Sequence, residues 1–529
     1  MPAMSTRTGT LVAVILGSGI VFLDGTIVNV AVETIGKELS TTFVGRVEGL
    51  TYVNNGYLAV LAALLILAGG ISDFYGRRRT FRIGLAGFGA ASVACGLAPN
   101  MELLILARLV QGAFGALLVP GSLSIITATF DGEERGRAIG LWAAGTSATM
   151  ILGPFVGGFL VQSISWRAAF LINVPLVLIA LYATTVVLES RDDEAEGRFD
   201  WLGAIVIAVG VGALAFGATR GAERNWQDAL AFISLGVGAV ATVAFPFLMR
   251  FRANPLVPLS MFASRNFTVV NISTFVIYGA LYVTLVFQSL FLQGTLGYSP
   301  VAAGAISLPV GLLLTFLSTP AGQLSARLGP RIFLTVGPII MGLGLLWLAR
   351  IPSSSEPWLA DLTDPATLVP PLDAVVDVIL ALVVFGFGIA ILVAPLTTAL
   401  MASVPVRRAG LGSAINNAIS RVGAPLIGAV LFIAITASFY PFLAERVPDL
   451  TVEEARAGEI QPLTSVPAGT DPVLEAAARE ASTDAFRLSM IVSAVLLFAG
   501  SAINAVGIRN PTREERERAA GTEAAPAAG

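Results

Sequence analysis

The chain contains about fourteen apolar runs, each long enough to cross a lipid bilayer as a helix. An α-helix rises about 1.5 Å per residue, so roughly 20 apolar residues span the ~30 Å hydrocarbon core. Because the core offers no water to bond the backbone, such runs are expected to be helical. They lie near residues 10–32, 49–71, 80–98, 102–129, 137–164, 167–188, 201–219, 228–249, 267–292, 301–322, 331–350, 373–403, 409–438 and 485–508. The sequence predicts an all-α membrane protein.

Composition agrees with this class and excludes several functions. Hydrophobic residues make up 55% of the chain and charged residues only 13%, while the net charge of −3 gives no indication of nucleic-acid binding. Histidine is absent and Cys95 is the single cysteine, so we expect no metal site, no disulfide within the chain and no histidine-dependent catalysis. The only lysine, Lys37, lacks the neighbours of a phosphate-binding loop. We therefore expect no nucleotide, no cofactor and no enzymatic activity.

Arginine placement predicts the orientation in the membrane. Basic residues concentrate on the cytoplasmic side of membrane proteins, and an even number of helices returns the C-terminus to the side of the N-terminus. We predict a multi-pass cell-membrane protein with both termini cytoplasmic, and long outer loops at 351–372 and 440–484, the second with a short helix at 472–485. The arginine-rich segments assigned to the cytoplasm include residues 77–82, 135–137, 250–252, 407–408 and 509.

An internal repeat suggests two related bundles. Gly69-x3-Asp73-x2-Gly76-Arg77-Arg78 follows the second run, and Gly322-x3-Ala326-x2-Gly329-Pro330-Arg331 follows the tenth. Transporters are commonly built from two such halves, with the binding site between them near the membrane midplane. We predict a first six-helix bundle over 1–190, two inserted helices over 191–255, a second six-helix bundle over 256–508 and a cytoplasmic tail over 509–529.

Asp24 lies in the middle of the first apolar run. A charged carboxylate at that depth costs at least ~2.5–3.5 kcal/mol, so it must face a cavity or a partner. A buried carboxyl group that meets each side of the membrane in turn can carry a proton, and the same group can attract a cationic substrate. Competition between the two is the simplest coupling for an antiporter. The alternative is a structural aspartate, hydrogen-bonded within the bundle.

Arg108 is the matching cation in the fourth run. Arginine stays protonated at any working pH, so a buried one requires an anion or carbonyl groups nearby. The functional hypothesis is that Arg108 modulates the proton site. The alternative is an arginine held by backbone carbonyl groups.

The Gly69–Arg79 segment combines Asp73 with a basic cluster. We expect Asp73 at the N-terminus of the following helix, where free N–H groups stabilise a carboxylate. Arg77 and Arg78 are expected to form a latch that holds one conformation and breaks in the other. Plain topology, with positive charge kept inside, explains the same cluster. The expected partners of the two arginines are the acids of the neighbouring loop, Asp131, Glu133 and Glu134.

Two further groups of residues are weaker candidates. The fifth run contains Gly145-x7-Gly153-Pro154-x2-Gly157-Gly158, which predicts a kinked and tightly packed helix. In the second half, aromatic residues at helical spacing could hold a flat or cationic ligand, or simply pack. The possible cavity residues of that half are Phe275, Tyr278, Tyr282, Asn416, Asn417 and Arg421.

Taken in order along the chain, these segments resemble the major facilitator superfamily, and closely its fourteen-helix drug:proton antiporters of the QacA/EmrB type. The resemblance covers essentially the whole chain. The segments that carry it are Leu23-Asp24-Gly25-Thr26-Ile27-Val28-Asn29-Val30-Ala31, Gly69–Arg79, Arg108-x2-Gln111-Gly112, Gly153-Pro154-x2-Gly157-Gly158, Trp166-Arg167-x2-Phe170-Leu171-Ile172-Asn173-Val174-Pro175 and Phe291-Leu292-Gln293-x3-Gly297-Tyr298-Ser299-Pro300.

The resemblance implies two six-helix bundles plus two inserted helices, which rock around a central cavity. It implies that proton influx drives export of lipophilic, often cationic, small molecules by a monomer in the lipid bilayer. It also implies that Asp24, Asn29, Arg108 and Gln111 form the coupling or substrate site, and that the Gly153–Gly158 segment is an antiporter motif.

Two other functions stay open on the same fold. One is transport of a single metabolite, lipid or natural product, in either direction. The other is a non-transporting membrane sensor. A membrane enzyme is disfavoured because histidine, a cysteine pair and clustered carboxylates are lacking.

Overall fold

The computed structural model describes residues 5–41, 46–191, 198–223, 228–361, 364–447, 450–457, 460–464, 466 and 469–510. Within these residues the fold is helical, and the one β-type contact is an isolated bridge between Asp361 and Asp364. The long helices are α1 Thr6–Glu38, α2 Arg46–Tyr75, α3 Arg77–Gly96, α4 Met101–Thr129, α5 Gly132–Ser163, α6 Trp166–Val186, α7 Trp201–Glu223, α8 Ala229–Phe251, α9 Arg265–Thr295, α10 Pro300–Leu328, α11 Pro330–Leu348, α12 Ala374–Ala402, α13 Ala409–Arg446 and α14 Pro472–Gly507. A short helix, Val452–Ala457, lies between α13 and α14.

These helices correspond one to one with the fourteen predicted apolar runs. In the described part of the chain, 12 of them are long and apolar enough to cross a membrane. The other two, α3 and α5, have 20 and 32 residues and carry charged residues in their first turns. The prediction of an all-α membrane protein is confirmed.

Helices α1–α6 form one bundle, α9–α14 form the other, and α7 and α8 lie beside them. Helix α7 packs against both α2 and α13, whereas α8 packs chiefly against α7. Only 17% of the most apolar window of α8 is buried, compared with 61% in α1. A helix so exposed and so apolar suits contact with lipid, and α8 is the least buried of the 12 apolar helices in the described residues.

The two halves meet closely at the end of the molecule that holds the α2–α3 turn, which we call the motif end. There a Cβ atom placed on Gly69 of α2 would lie 2.5 Å from Ala414 Cβ of α13. At a second crossing between the bundles, a Cβ atom on Gly140 of α5 would lie 2.7 Å from Thr319 Cα of α10. Glycine therefore permits both helix crossings between the bundles.

The repeat seen in the sequence has a structural counterpart. Gly76 and Gly329 take φ values of 107° and 91°, a region that favours glycine, and each starts the next helix. The Glu189 carboxylate accepts the N–H groups of Arg78 and Arg79 at 3.0 Å, just after α6. Asn510 accepts the Arg331 N–H at 3.1 Å, just after α14. The two halves thus cap corresponding helices in the same way.

The prediction for residues 440–484 is corrected by the structure. Helix α13 continues to Arg446, and the expected short helix at 472–485 is instead the beginning of α14. Asp471 caps that helix, with its side chain accepting the Val473 N–H at 2.8 Å. Apolar runs mark only the part of a helix that faces lipid, so the length of a helix that continues beyond the lipid is underestimated. Of the predicted tail 509–529, residues 511–529 lie outside the described part of the chain.

Candidate functional site

An ion pair joins α1 to α4 inside the first bundle. The Arg108 guanidinium donates through Nη1 to Asp24 Oδ2, and both side chains have no exposed surface. A pair withdrawn from solvent to this extent is stable only when most of its remaining hydrogen-bonding groups are also occupied. The alternative prediction was that backbone carbonyl groups hold Arg108. One such contact is present, since Nε donates to the Val53 carbonyl of α2 at 2.9 Å.

Neutral polar side chains complete the surroundings of the carboxylate. Asp24 Oδ1 accepts from Gln111 Nε2 and from Asn173 Nδ2, each at 2.9 Å. The same two amides also donate to Ser92 Oγ of α3, at 2.7 and 3.2 Å. No role was predicted from the sequence for Asn173 or Ser92. Asn173 begins the second part of α6, after a break at Ile172, which turns its side chain into the bundle.

The cation has an aromatic neighbour. Tyr57 of α2 lies with its ring centroid 3.9 Å from the Arg108 guanidinium, and its hydroxyl donates to the Val21 carbonyl at 3.3 Å. An arginine stacked on a ring in a dry environment gains about 2 kcal/mol. Two buried atoms of the cluster, Arg108 Nη2 and Asn173 Oδ1, have no hydrogen-bond partner among the described residues. The network therefore retains one donor and one acceptor for another arrangement.

The glycines of α5 bring this helix against α1 beside the cluster. A Cβ atom on Gly153 would overlap Thr26 Oγ1 and lie 2.8 Å from Thr26 Cβ, while one on Gly157 would lie 3.2 Å from Ile27 Cα. Gly145 lies against Ile15 in the same way. The tight packing predicted for this helix therefore occurs against the helix that carries Asp24.

A second polar cluster closes the motif end. Asp73, at the end of α2, accepts the backbone N–H groups of Gly410 and Leu411 at 3.1 and 2.8 Å. Arg77 donates through Nε to Asp73 at 3.0 Å and through Nη2 to the Val406 carbonyl. The carboxylate thus occupies the N-terminus of α13, where the free N–H groups and the helix dipole stabilise a negative charge. These contacts join the first bundle to the second.

The expected partners in this segment were wrong. Asp73 caps α13 rather than the following helix, because Glu189 already caps α3. The acids on the neighbouring loop pair elsewhere: Asp131 with Arg135, Glu133 with Arg327 and Glu134 with Arg7. Of these pairs, Glu133–Arg327 also joins the two bundles, at 3.2 Å. Asp73 and Arg77 therefore contact α13 rather than the acids of the neighbouring loop, and the latch stays a prediction.

The remaining predicted residues are distributed between the helices. Asn29 and Pro154 lie on α1 and α5, with side chains outside the described part of the structure. Asn416 of α13 donates to Thr274 Oγ1 at 2.9 Å and so joins α13 to α9, whereas Asn417 bonds back to the Ser413 carbonyl.

The aromatic face of α9 is partly formed. Tyr278 and Tyr282 have ring centroids 6.2 Å apart, and Phe275 lies against Gly423 of α13. Arg421 lies on α13, two residues before that contact. Of these aromatic residues, Phe275 contacts α13, the helix that carries Arg421.

The arrangement has a defined chemical capacity. Protonation of Asp24 would remove the negative charge that balances Arg108, and the surrounding amides can donate to a carboxylate or accept from a carboxylic acid. A change at one carboxyl group can therefore alter how α1, α3, α4 and α6 hold together.

Comparison with known proteins agrees with this architecture. The family model of the Major Facilitator Superfamily matches residues 14–429. The chain is 32% identical over 449 residues to the multidrug resistance protein Stp of Mycobacterium tuberculosis, covering 84% of this chain and 79% of Stp. It is 30% identical over 423 residues to the tetracenomycin C resistance and export protein of Streptomyces glaucescens, covering 80% of this chain and 74% of that protein.

A solved structure shows the same fold. The proton:xylose symporter XylE superposes with a TM-score of 0.58 at 17% sequence identity, covering 97% of this chain and 98% of XylE. A sequence identity this low supports a shared fold and nothing more. With the family match over most of its length and an all-helical two-bundle architecture, the chain belongs to the Major Facilitator Superfamily of membrane transporters.

Proposed function

We propose that the protein is a proton-coupled efflux transporter that exports lipophilic small molecules by alternating access. The observation that carries the proposal is the sealed Asp24–Arg108 pair in the middle of the first bundle. An ionisable group inside a membrane bundle is costly and is retained where it serves transport or coupling. In this scheme Asp24 takes up a proton in one conformation and returns to Arg108 in the other.

The contacts at the motif end supply the second element of the mechanism. Asp73 and Arg77 bind the beginning of α13, so this end is closed in the conformation described. We assign the motif end to the cytoplasm on the basis of its arginines and place the protein in the cell membrane. Export then requires these contacts to break for loading and to re-form before release.

Relatives support efflux as the direction of transport. Stp is named for multidrug resistance, and the Streptomyces glaucescens protein for resistance to and export of tetracenomycin C. The expectation of a cationic substrate receives no support at Asp24, whose oxygens are engaged by Arg108, Gln111 and Asn173. The proposal is therefore stated for lipophilic substrates without a preferred charge.

Transport into inside-out vesicles tests the proposal. Two probes share a pyrene body and differ in charge: 1-pyrenesulfonate and (1-pyrenylmethyl)trimethylammonium. With an acidic lumen, we expect the full-length protein to accumulate at least one of them. A protonophore and Asp24→Asn should each abolish the uphill part of that accumulation.

Asp364→Asn is the matched control, because Asp364 is an exposed loop acid that caps a short turn. It should accumulate the probes like the wild type. Equal accumulation with Asp24→Asn, with the protonophore and without either would end the proton-coupling proposal. Failure to accumulate either probe above vesicles without the protein would contradict transport and favour a sensor.

A further inference from the structure

Arg421 lies deep inside α13. It is 12 residues beyond Ala409, the first residue of the helix, which corresponds to about 18 Å along the axis. A cation at such a depth costs at least ~2.5–3.5 kcal/mol in a membrane helix. It therefore requires an anion, a polar partner or water.

No such partner is found among the described residues. Arg421 makes no hydrogen bond or ion pair with them, and its side chain is partly exposed. The contrast with the other arginines in the interior is clear, since Arg108 is paired with Asp24 and Arg77 with Asp73. Arg108 and Asp24 balance each other's charge, whereas Arg421 has no counterion among the residues that the structure describes.

The direction of the side chain follows from the helix. Ala414 lies against Gly69 of α2, and Arg421 is seven residues, or about two turns, further along the same face. The Tyr57 hydroxyl of α2 lies within electrostatic range of the Arg421 guanidinium. Arg421 therefore points into the interface between the two bundles, towards the face of α2 that carries Gly69.

The side of α2 that faces Arg421 suits a lipophilic body. Helix α2 runs antiparallel to α13 from the Gly69–Ala414 contact, so Ala62 and Leu58, seven and eleven residues before Gly69 on the same face, lie at about the level of Arg421 and beyond it. The aromatic face of α9 lies elsewhere, because Gly423, which contacts Phe275, is about 200° around α13 from Arg421. A positive charge that faces apolar side chains is complementary to an amphiphile with an acidic head.

We propose that Arg421 binds the acidic group of the transported compound, so that the preferred substrates are lipophilic anions carrying a carboxylate, sulfonate or phosphate. This inference rests on the proposed efflux function and specifies its substrate class. A guanidinium binds such groups through two parallel hydrogen bonds, which an ammonium group cannot match. An anion bound at Arg421 neutralises a cation that has no counterion in the described part of the chain.

Binding to the purified full-length protein tests the inference by pyrene fluorescence anisotropy. We expect wild type to bind 1-pyrenesulfonate about tenfold more tightly than (1-pyrenylmethyl)trimethylammonium, the size of a charge-assisted hydrogen bond. Arg421→Gln should reduce this ratio to about twofold or less, and Arg421→Lys should retain a preference for the sulfonate. Neutral 1-pyrenemethanol should bind wild type and Arg421→Gln alike.

Arg82→Gln is the matched control, because Arg82 is an exposed arginine on α3 outside both clusters. It should leave the ratio unchanged. A wild type that binds the ammonium probe as tightly as the sulfonate, or an unchanged ratio in Arg421→Gln, overturns the inference. Both results are independent of the Asp24→Asn transport assay. If the glutamine variant fails to fold, the ratio of the two affinities is compared between wild type and Arg421→Lys instead.

Discussion

Arg108 and Asp24 stabilise the first bundle as well as the proposed coupling site. Removing Arg108 leaves a carboxylate buried in the bundle with amides alone for partners. Breaking a buried pair from one side typically costs about 3–5 kcal/mol. We therefore expect Arg108→Ala to lower the free energy of unfolding by about that amount, measured by thermal unfolding of the purified protein in detergent.

Two comparisons isolate the effect of the charge. Arg82→Ala removes an exposed arginine from α3 and should change stability by no more than about 0.5 kcal/mol. Adding Asp24→Asn to Arg108→Ala should recover part of the loss, because the uncompensated charge is then gone. If the double variant is as unstable as the sum of the single variants, the two side chains act independently.

Whether a residue of this site could be predicted from the sequence depends on whether its side chain is charged. Asp24 and Arg108 stand out because a charged residue inside an apolar run is rare and costly. Asn173 and Ser92 complete the same site but are small neutral polar residues of a kind that many membrane helices contain. The one sequence signal is that Asn173 directly precedes Val174 and Pro175, where α6 restarts. This signal can be interpreted only when the helix break is known.

Helix α5 positions α1 through glycines, and this can be tested at the element scale. A methyl group on Gly153 would overlap Thr26 and force α1 and α5 apart next to Asp24. Overpacking of this kind costs about 1–3 kcal/mol. Gly153→Ala should therefore lower the thermal stability of the purified protein and slow probe accumulation in vesicles.

Gly158→Ala provides the control on the same helix. A Cβ atom at Gly158 meets nothing within 4 Å, so the change should be neutral or stabilise by up to about 1 kcal/mol through helix propensity. An equal loss of stability in both variants would mean that glycine serves backbone flexibility in α5 rather than its packing on α1.

Element boundaries show where prediction from the sequence reaches its limit. Each of the fourteen long helices in the described residues matches an apolar run, but α13 and α14 extend past the predicted ends to Arg446 and back to Pro472. The extensions carry charged residues such as Glu445, Arg446 and Glu475, and hydropathy does not distinguish such turns from a loop. The partner of Asp73 was missed for a related reason: the free N–H groups it binds belong to α13, more than 300 residues away in the chain.

At the scale of the whole molecule, the two bundles are joined at the motif end by contacts of two kinds. One kind is polar: Asp73 of α2 accepts backbone N–H groups at the start of α13, and Glu133 of α5 pairs with Arg327 of α10. The other is close helix packing through glycine, as at Gly69 and Gly140. Alternating access requires both kinds to separate together, because a rigid bundle cannot open one crossing and keep its neighbour closed.

A disulfide across the motif end tests this requirement. A Cβ atom on Gly136 of α5 would lie 3.3 Å from Ala326 Cβ of α10, and disulfides join Cβ atoms about 3.8 Å apart. In a Cys95→Ser background, oxidised Gly136→Cys/Ala326→Cys should lose probe accumulation, and a reductant should restore it, because the closed end can then open again. Each single cysteine variant, and the distant pair Gly158→Cys/Ala326→Cys, should be insensitive to oxidation. Undiminished accumulation by fully cross-linked protein would show that transport does not pass through opening of the motif end.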